Sequence, residues 1–239
     1  MALGIRAHFG DLLSPLAIRA LLIHCSVDEG HPRHESGWGR MPTALEDFVI
    51  CPEGTARIAY QGELAPGQFV RARIPIPKKP LSGNVTIRAT FCYATETDPD
   101  HPGNYTRSGL EIVFRPHDAK FDPKAEDPTN PKSDEFFQLK DFSTEQELRK
   151  DAHKWETTLH REKAKRGSSL QNPVFDIHYN ARLQGGRSAA TKKMRYALVI
   201  TVESPRTKDL YDQIVRRYPT QIRPLLPVIQ IPIRPGAAT

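Results

Sequence analysis

The sequence predicts an α+β fold in which N-terminal helices are followed by an antiparallel β-sandwich with inserted helices. Apolar residues recur at helical spacing over residues 2–26, and from residue 55 they recur at the alternating spacing of strands. The 239 residues also include 21 prolines, which favour turns and short strands over long helices. These observations divide the chain into residues 1–50 and residues 51–239.

Helices are predicted at the start of the chain. Ser14-Pro15 is a strong helix start, because serine caps free backbone N–H groups and proline suits the first helical position. Thr43 and Glu46 have the spacing of a capping box, which predicts a short helix over 43–49. Two apolar groups mark buried helix faces: Leu3, Ile5 and Phe9, then Ile18, Leu21, Leu22 and Cys25.

Strands dominate residues 51–239. Val85–Ala94 alternates apolar and polar residues most clearly, and the nearly continuous apolar run Tyr196–Val202 predicts a central strand. Val228–Ile233 contains proline, so we expect an edge strand there at best. After Ser204-Pro205, a helix is predicted with Tyr211, Ile214, Val215 and Tyr218 on one face. The other predicted strands are Thr55–Gln61, Phe69–Ile76, Gly109–Phe114 and Val174–Asn180.

An insertion is predicted at about residues 116–166. Residues 116–142 are rich in Pro, Asp and Lys, which indicates a long exposed loop. Ser143–Lys165 is predicted to be a helix, because Ser143 and Gln146 match a capping box. One apolar stripe along that helix comprises Leu148, Ala152, Trp155 and Leu159.

Charge and cysteine usage bound the class of protein. The net charge is +6, but residues 151–239 hold 16 basic and 7 acidic groups, a local excess of +9. The aromatic residues near Lys163–Arg166 and Lys192-Lys193 mostly fall at core-facing positions, so we favour a solvated basic face over a nucleic-acid partner. The odd cysteine count and wide spacing fit neither a zinc site nor a disulfide scaffold, so Cys25, Cys51 and Cys92 indicate a reducing compartment.

Targeting signals are not evident in the sequence. No run reaches the roughly 20 apolar residues of a membrane span. Arg6, His8 and Asp11 interrupt the N-terminus where a signal peptide would be apolar. We therefore expect a cytoplasmic protein with no membrane partner.

No complete catalytic site is predicted from the residues. There is no G-x-S-x-G, no Gly-Thr-Ser and no phosphate-binding glycine loop, and Ser168 and Ser169 follow the predicted helix. Asp176 and His178 lie two residues apart on a predicted strand and so share a face, which makes them the best candidate pair of metal ligands. The favoured interpretation is that both side chains simply face solvent. The sequence thus predicts no catalytic, cofactor-binding or metal residue. The other histidines that we considered are His31 with His34, and His153 with His160.

Two N-terminal motifs resemble the end of a subtilisin-like serine protease (subtilase) catalytic domain. The run Leu13–Leu22 is similar to the family's helix that follows its nucleophile helix, and Gly37–Met41 with Ala44 is similar to its glycine–aromatic–glycine motif. Pro42 departs from the Asp or Asn that the family often has. Similarity to large bacterial subtilases extends to Leu81–Thr95, Asn104–Glu111 and Asn172–Arg182.

The resemblance implies a C-terminal portion of a serine endopeptidase. Residues 1–50 would be the remnant of the α/β catalytic domain, whose helices we expect to lack their own sheet, and residues 51–239 a β-sandwich-like C-terminal domain. The family's Asp, His, Ser and oxyanion Asn lie upstream of both motifs, so no position inherits those roles and the chain is expected to be inactive alone. Its partners would be an upstream catalytic half and the protein or peptide substrate of the parent protease.

One alternative class stays open from the residues. A stand-alone β-sandwich module that binds protein or glycan would also suit residues 51–239. Such a module predicts an exposed aromatic patch and gives no role to the N-terminal helices.

Overall fold

A computed structural model describes residues 1–97, 106–124, 128–137, 156–181 and 192–225. In this part of the chain, no helix is long and apolar enough to cross a membrane. The helices are α1 (Ala2–Phe9), α2 (Pro15–His24), α3 (Arg33–Ser36), α4 (Glu46–Val49) and α5 (Leu210–Arg217). The strands are β1 (Thr55–Leu64), β2 (Phe69–Arg73), β3 (Asn84–Ala94), β4 (Ser108–Arg115), β5 (Thr158–Arg166), β6 (Val174–Ala181) and β7 (Met194–Glu203).

Two antiparallel sheets face each other, and this confirms the predicted sandwich within a mixed helix and sheet fold. The four-stranded sheet has the order β1-β7-β3-β5, and the three-stranded sheet has the order β2-β6-β4. β7 is central, as its apolar run predicts, because β1 and β3 pair with it on its two sides. The alternation of β3 also holds: its inward side chains are all buried in the core, namely Val85, Ile87, Ala89, Phe91 and Tyr93.

Aromatic rings fill the space between the sheets. Phe175 on β6 is fully buried, and its ring centroid lies between 5.1 and 6.2 Å from four other phenylalanine rings. Two of those rings come from the segment predicted to be an exposed loop, which therefore supplies core residues. The four rings belong to Phe91, Phe114, Phe136 and Phe137.

β5 overturns the last part of the predicted helix Ser143–Lys165. Thr158–Arg166 pairs antiparallel with β3, so that Thr158 lies opposite Cys92. Arg, Glu, Lys and Ala favour helices, but propensity is a weak prior that tertiary pairing overrides. Residues 143–155 of that prediction lie outside the described residues.

The observed helix N-termini agree only in part with the predicted ones. Ser14 caps α2 by accepting a hydrogen bond from the backbone N–H of Ala17, as predicted. The capping box at Thr43 is not formed, because α4 begins at Glu46 without a side-chain cap. α5 begins at Leu210, several residues after Ser204, and its buried face contains Leu210 where Tyr211 was expected.

α1 and α2, which we call the helical layer, cover the outer face of the four-stranded sheet. α2 packs on β3 and β7, where Cys92, Ala197 and Val199 present small side chains. The sheet that these helices cover belongs to the sandwich, and their lack of a sheet from their own catalytic domain stays a prediction. The helical residues of this second apolar cluster include Ile5, Phe9, Ala17, Ile18, Ala20 and Leu21.

The first prediction concerns the aromatic core. Phe175→Ala should lower the free energy of unfolding by about 3–5 kcal/mol, because four rings lose their common neighbour and a cavity remains. Phe121→Ala is the matched control: Phe121 is 52 % exposed, and its loss should cost within about 0.5 kcal/mol. Urea denaturation measures both changes, and equal losses would contradict the assigned core.

Candidate functional site

An open groove of about 700 Å³ runs beside β1. The helical layer and α4 form one wall, with Phe9, Leu13, Leu21 and Phe48 among the lining side chains. The opposite wall comes from α5 and the chain that follows it, including Tyr211 and Ile222–Leu225. The groove thus joins the N-terminal helices to the last described residues.

The floor of the groove is the free edge of β1. β1 is the outermost strand of its sheet and, among the described residues, pairs only with β7. Arg57, Ile58, Ala59, Tyr60 and Gln61 all line the groove, although successive strand side chains point to opposite faces. Both faces can contribute only if the groove follows the strand edge, where backbone N–H and C=O groups are exposed for pairing.

Two β1 side chains fix the helical wall in place. The Gln61 amide donates a hydrogen bond to the Leu12 carbonyl oxygen at 2.7 Å and accepts one from the Ser14 N–H at 2.9 Å. The Arg57 guanidinium donates to the Phe48 carbonyl oxygen at 2.7 Å and to that of Asp47 at 3.2 Å. These bonds satisfy backbone groups at helix ends, which would otherwise need water.

A line of polar side chains crosses the sheet beneath α2. His24 is fully buried, with its Nδ1 2.8 Å from the Thr90 hydroxyl and its Nε2 2.7 Å from the Thr201 hydroxyl. Thr90 also lies 2.7 Å from Nδ1 of His160 on β5, and the Arg57 Nε lies 3.4 Å from Thr201. We call these five residues the polar line; it touches α2 and all four strands.

Burial holds the pKa of His24 well below its usual value. The neighbouring positive charge of Arg57, followed by His160 and Arg88, lowers the pKa further. His24 is therefore neutral at neutral pH, with one ring nitrogen as donor and the other as acceptor.

Asp176 and His178 do not form the exposed pair that the sequence favoured. Asp176 is only 1 % exposed, and both of its oxygens accept hydrogen bonds from arginines. Arg71 binds it in a bidentate manner at 2.7 and 2.8 Å, and Arg115 binds it at 2.6 Å. His178 packs instead against the ring of Phe69, 4.8 Å away. The carboxylate therefore ties β2 and β4 to β6 and has no vacant oxygen.

Arginine contacts outweigh burial in setting the charge of Asp176. Burial alone would raise its pKa, but hydrogen bonds from Arg71 and Arg115 bring the pKa below its usual value. The ionised form is thus the stabilised one, and two arginines share a single carboxylate.

The other residues singled out by the sequence are scattered. Ser169 lies in a 3₁₀ turn and donates its hydroxyl proton to the Arg166 carbonyl oxygen. Cys25 and Cys92 are buried, as expected, and burial raises the pKa of both thiols. Of the histidine pairs, His31 is exposed, His160 joins the polar line, and His153 lies outside the described residues.

The predicted basic face is partly neutralised. Lys163 and Lys165 both pair with Asp134, and Lys192 pairs with Glu96 at 2.7 Å. Among the described residues, no group of three or more His, Cys, Asp or Glu side chains has the geometry to hold a metal ion.

Sequence reasoning missed the polar line. Thr90 sits on the face of β3 that reads as polar and therefore solvent-facing, and His24 reads as the end of an apolar helix. One sequence signal could have indicated that His24 is buried: it lies one helical turn after the apolar Leu21, on the same face of α2.

Comparisons with known proteins do not assign this chain to a family. No protein-family model and no curated protein matches the chain. Among solved structures, the infectious bursal disease virus VP2 subviral particle aligns with a TM-score of 0.33 and 9 % identity, covering 68 % of this chain and 34 % of that one. The structure of the Gx strain of the same virus aligns with a TM-score of 0.28 and 9 % identity, covering 64 % and 32 %. The chain spans about a third of these structures, and likeness at this level carries no argument about function.

The second prediction concerns the buried carboxylate. Asp176→Asn should lower the free energy of unfolding by about 3 kcal/mol at neutral pH, because Arg115 and Arg71 lose their anionic partner. The difference should shrink as pH falls below about 4, because the folded-state pKa of Asp176 is lowered and its stabilisation is lost only when it is protonated.

The matched control is Asp122→Asn, which removes an exposed pair with Lys132 at 3.6 Å. Its effect should stay within about 0.5 kcal/mol. Urea denaturation at several pH values measures the free energy of unfolding of both variants. Equal losses in the two variants would show that the arginine contacts on Asp176 stabilise the fold no more than an exposed ion pair does.

Proposed function

We propose that this chain is the C-terminal portion of a subtilisin-like serine endopeptidase, and that it supplies support to the protease and none of its reacting groups. The proposal rests on two motifs in the right order, Leu13–Leu22 and Gly37–Met41 with Ala44. The parent reaction would be hydrolysis of peptide bonds by an activated serine. The nucleophile, base and orienting acid would come from an upstream catalytic half.

The geometry of the first motif supports an accessory role. Leu13–Leu22 includes most of α2, which starts at the Ser14 cap. Ala17, Ile18 and Leu21 from this motif belong to the apolar cluster on the outer face of the four-stranded sheet. The sandwich therefore stabilises the segment that resembles the end of a protease domain.

The second motif also has structural requirements that support the comparison. Gly39 has a φ of +94°, and a Cβ there would lie 2.2 Å from the carbonyl oxygen of Val27, so only glycine fits. The ring of Trp38 packs edge-on against His160, with 5.8 Å between centroids. Both motifs thus contact the β-sandwich.

The third prediction tests the protease assignment. A longer protein that continues the reading frame upstream of Met1 should carry Gly-Thr-Ser, react with a fluorophosphonate probe and cleave casein. Replacing the serine of that Gly-Thr-Ser by alanine should abolish both signals, and residues 1–239 alone should show neither. A longer protein that folds but neither reacts nor cleaves would overturn the assignment.

A second candidate function is the binding of an extended polypeptide in the groove. The observation that favours it is the edge of β1 that no other described strand pairs with. An added strand would pair with the backbone of β1 and place alternate side chains against the apolar residues of the helical wall. The groove suits a polypeptide better than a glycan, since its floor is a strand edge whose backbone groups can pair with an added strand.

The fourth prediction tests this candidate with a fluorescein-labelled peptide of alternating valine and threonine, as long as β1. Leu225→Asp, at a groove residue that is 42 % exposed, should weaken binding by at least about tenfold. Leu3→Asp, at a residue that is 85 % exposed and outside the groove lining, is the matched control and should change nothing.

N-methylation of alternate residues of the peptide provides the backbone test. It removes N–H donors without changing side chains, so it should abolish binding if the peptide adds to β1. Equal binding by the methylated peptide, or no binding of the parent peptide, would exclude strand addition.

A further inference from the structure

Donors and acceptors along the polar line are assigned so that each hydroxyl accepts one hydrogen bond and donates one. Arg57 can only donate, so the oxygen of Thr201 accepts from it. In this assignment the Thr201 proton points to Nε2 of His24. His24 then carries its proton on Nδ1 and donates it to Thr90. Thr90 in turn donates to Nδ1 of His160. In this arrangement each hydroxyl accepts one hydrogen bond and donates one, so every buried hydroxyl of the line is satisfied.

Protonation of His24 is incompatible with this arrangement. A second proton on Nε2 would meet the proton that Thr201 directs at the same nitrogen, so Thr201 would have to turn away. The charge would also be buried beneath α2, where uncompensated charge is costly.

The groups that face His24 oppose its charging. β1 presents Arg57, β3 presents Arg88, and β5 presents His160. β7 contributes the neutral Thr201 hydroxyl. Arg88 is partly balanced by Glu162, 2.6 Å away, which leaves Arg57 as the positive group bonded to the line itself.

We propose that the polar line is an acid-sensitive latch: protonation of His24 shifts the chain toward an open form in which the helical layer is lifted from the four-stranded sheet. His24 is the last residue of α2, and it forms the two buried side-chain bonds that join this helix to the sheet centre at Thr90 and Thr201. This inference does not depend on the protease assignment.

Opening would change the groove as well as the sheet. Phe9, Leu13, Ala17 and Leu21 form part of the groove wall, so lifting the helical layer removes that wall. It also uncovers Cys92, which lies on β3 beneath the layer and is fully buried in the closed form. Acid would therefore switch off any binding that needs the intact groove.

The direction of the pH effect follows from the lowered pKa of His24 in the closed form. The stabilisation of the closed form is complete above about pH 6.5, the ordinary histidine value expected when the layer is lifted, and it declines as pH falls below that value. Between about pH 8 and about pH 5 the open population should rise by up to about 30-fold.

The fifth prediction is tested by hydrogen exchange of the whole chain followed by mass spectrometry, corrected for the intrinsic pH dependence of exchange. Amides of α2 should lose protection by up to about 30-fold between about pH 8 and about pH 5, while those of β6 stay protected. His24→Gln should remove this pH dependence. His8→Gln, which removes a histidine of the same layer outside the polar line, should keep it.

Thiol labelling with 4,4′-dithiodipyridine gives a second readout in the unmodified chain. Cys92 should gain reactivity at acid pH relative to Cys51, which lines the groove and is already half-buried. Equal α2 protection at both pH values, equal loss of protection in α2 and β6, or an unchanged pH dependence in His24→Gln would each overturn the latch.

The tautomer of His24 tests the latch in the wild-type chain if His24→Gln fails to fold. Nitrogen-15 NMR of the wild-type chain at about pH 8 should show the proton on Nδ1, as this assignment of donors and acceptors requires. A proton on Nε2 would overturn the proposal.

Discussion

The packing of α2 on the four-stranded sheet is the contact on which the rest of the molecule depends. It is possible because β3 and β7 present Cys92, Ala197 and Val199 on their outer face, where larger side chains would hold the helix away. The centre of the sheet, at β3 and β7, is therefore buried on both faces, with the sandwich core on one side and the helical layer on the other. The groove exists because this layer extends past the edge of β1, and the polar line exists because α2 ends over the sheet centre.

The two sheets use different polar chemistry for the same mechanical purpose. On the three-stranded sheet, Asp176 joins three strands through charged contacts to Arg71 and Arg115. On the four-stranded sheet, His24 joins a helix to two strands through neutral hydroxyls. The carboxylate stabilises its sheet only when ionised, whereas the imidazole stabilises the helical layer only when neutral. Acid weakens both, but the histidine responds at a higher pH.

Local sequence patterns predicted most strands of the sandwich, whereas the other elements depend on contacts between segments that are distant in sequence. Val85–Ala94 alternates so regularly that its inner face could be read directly, and the Ser14 cap sets the start of α2. β5 could not be found in this way, because its sequence, rich in Arg, Lys and Glu, favours a helix until β3 pairs with it. The polar line depends on registers such as Thr90 opposite His160, and the groove depends on chain segments far apart in sequence. Neither leaves a local signal.

Helices within residues 1–50 cover the outer face of the four-stranded sheet, and we predict that residues 51–239 are not stable without them. The most direct measurement compares urea unfolding of residues 1–239 with that of residues 51–239. We expect the shorter chain to lose most of its free energy of unfolding and to bind an apolar dye, because Cys92, Ala197 and Val199 would face water. A shorter chain that unfolds cooperatively with the same free energy and binds no dye would contradict this account.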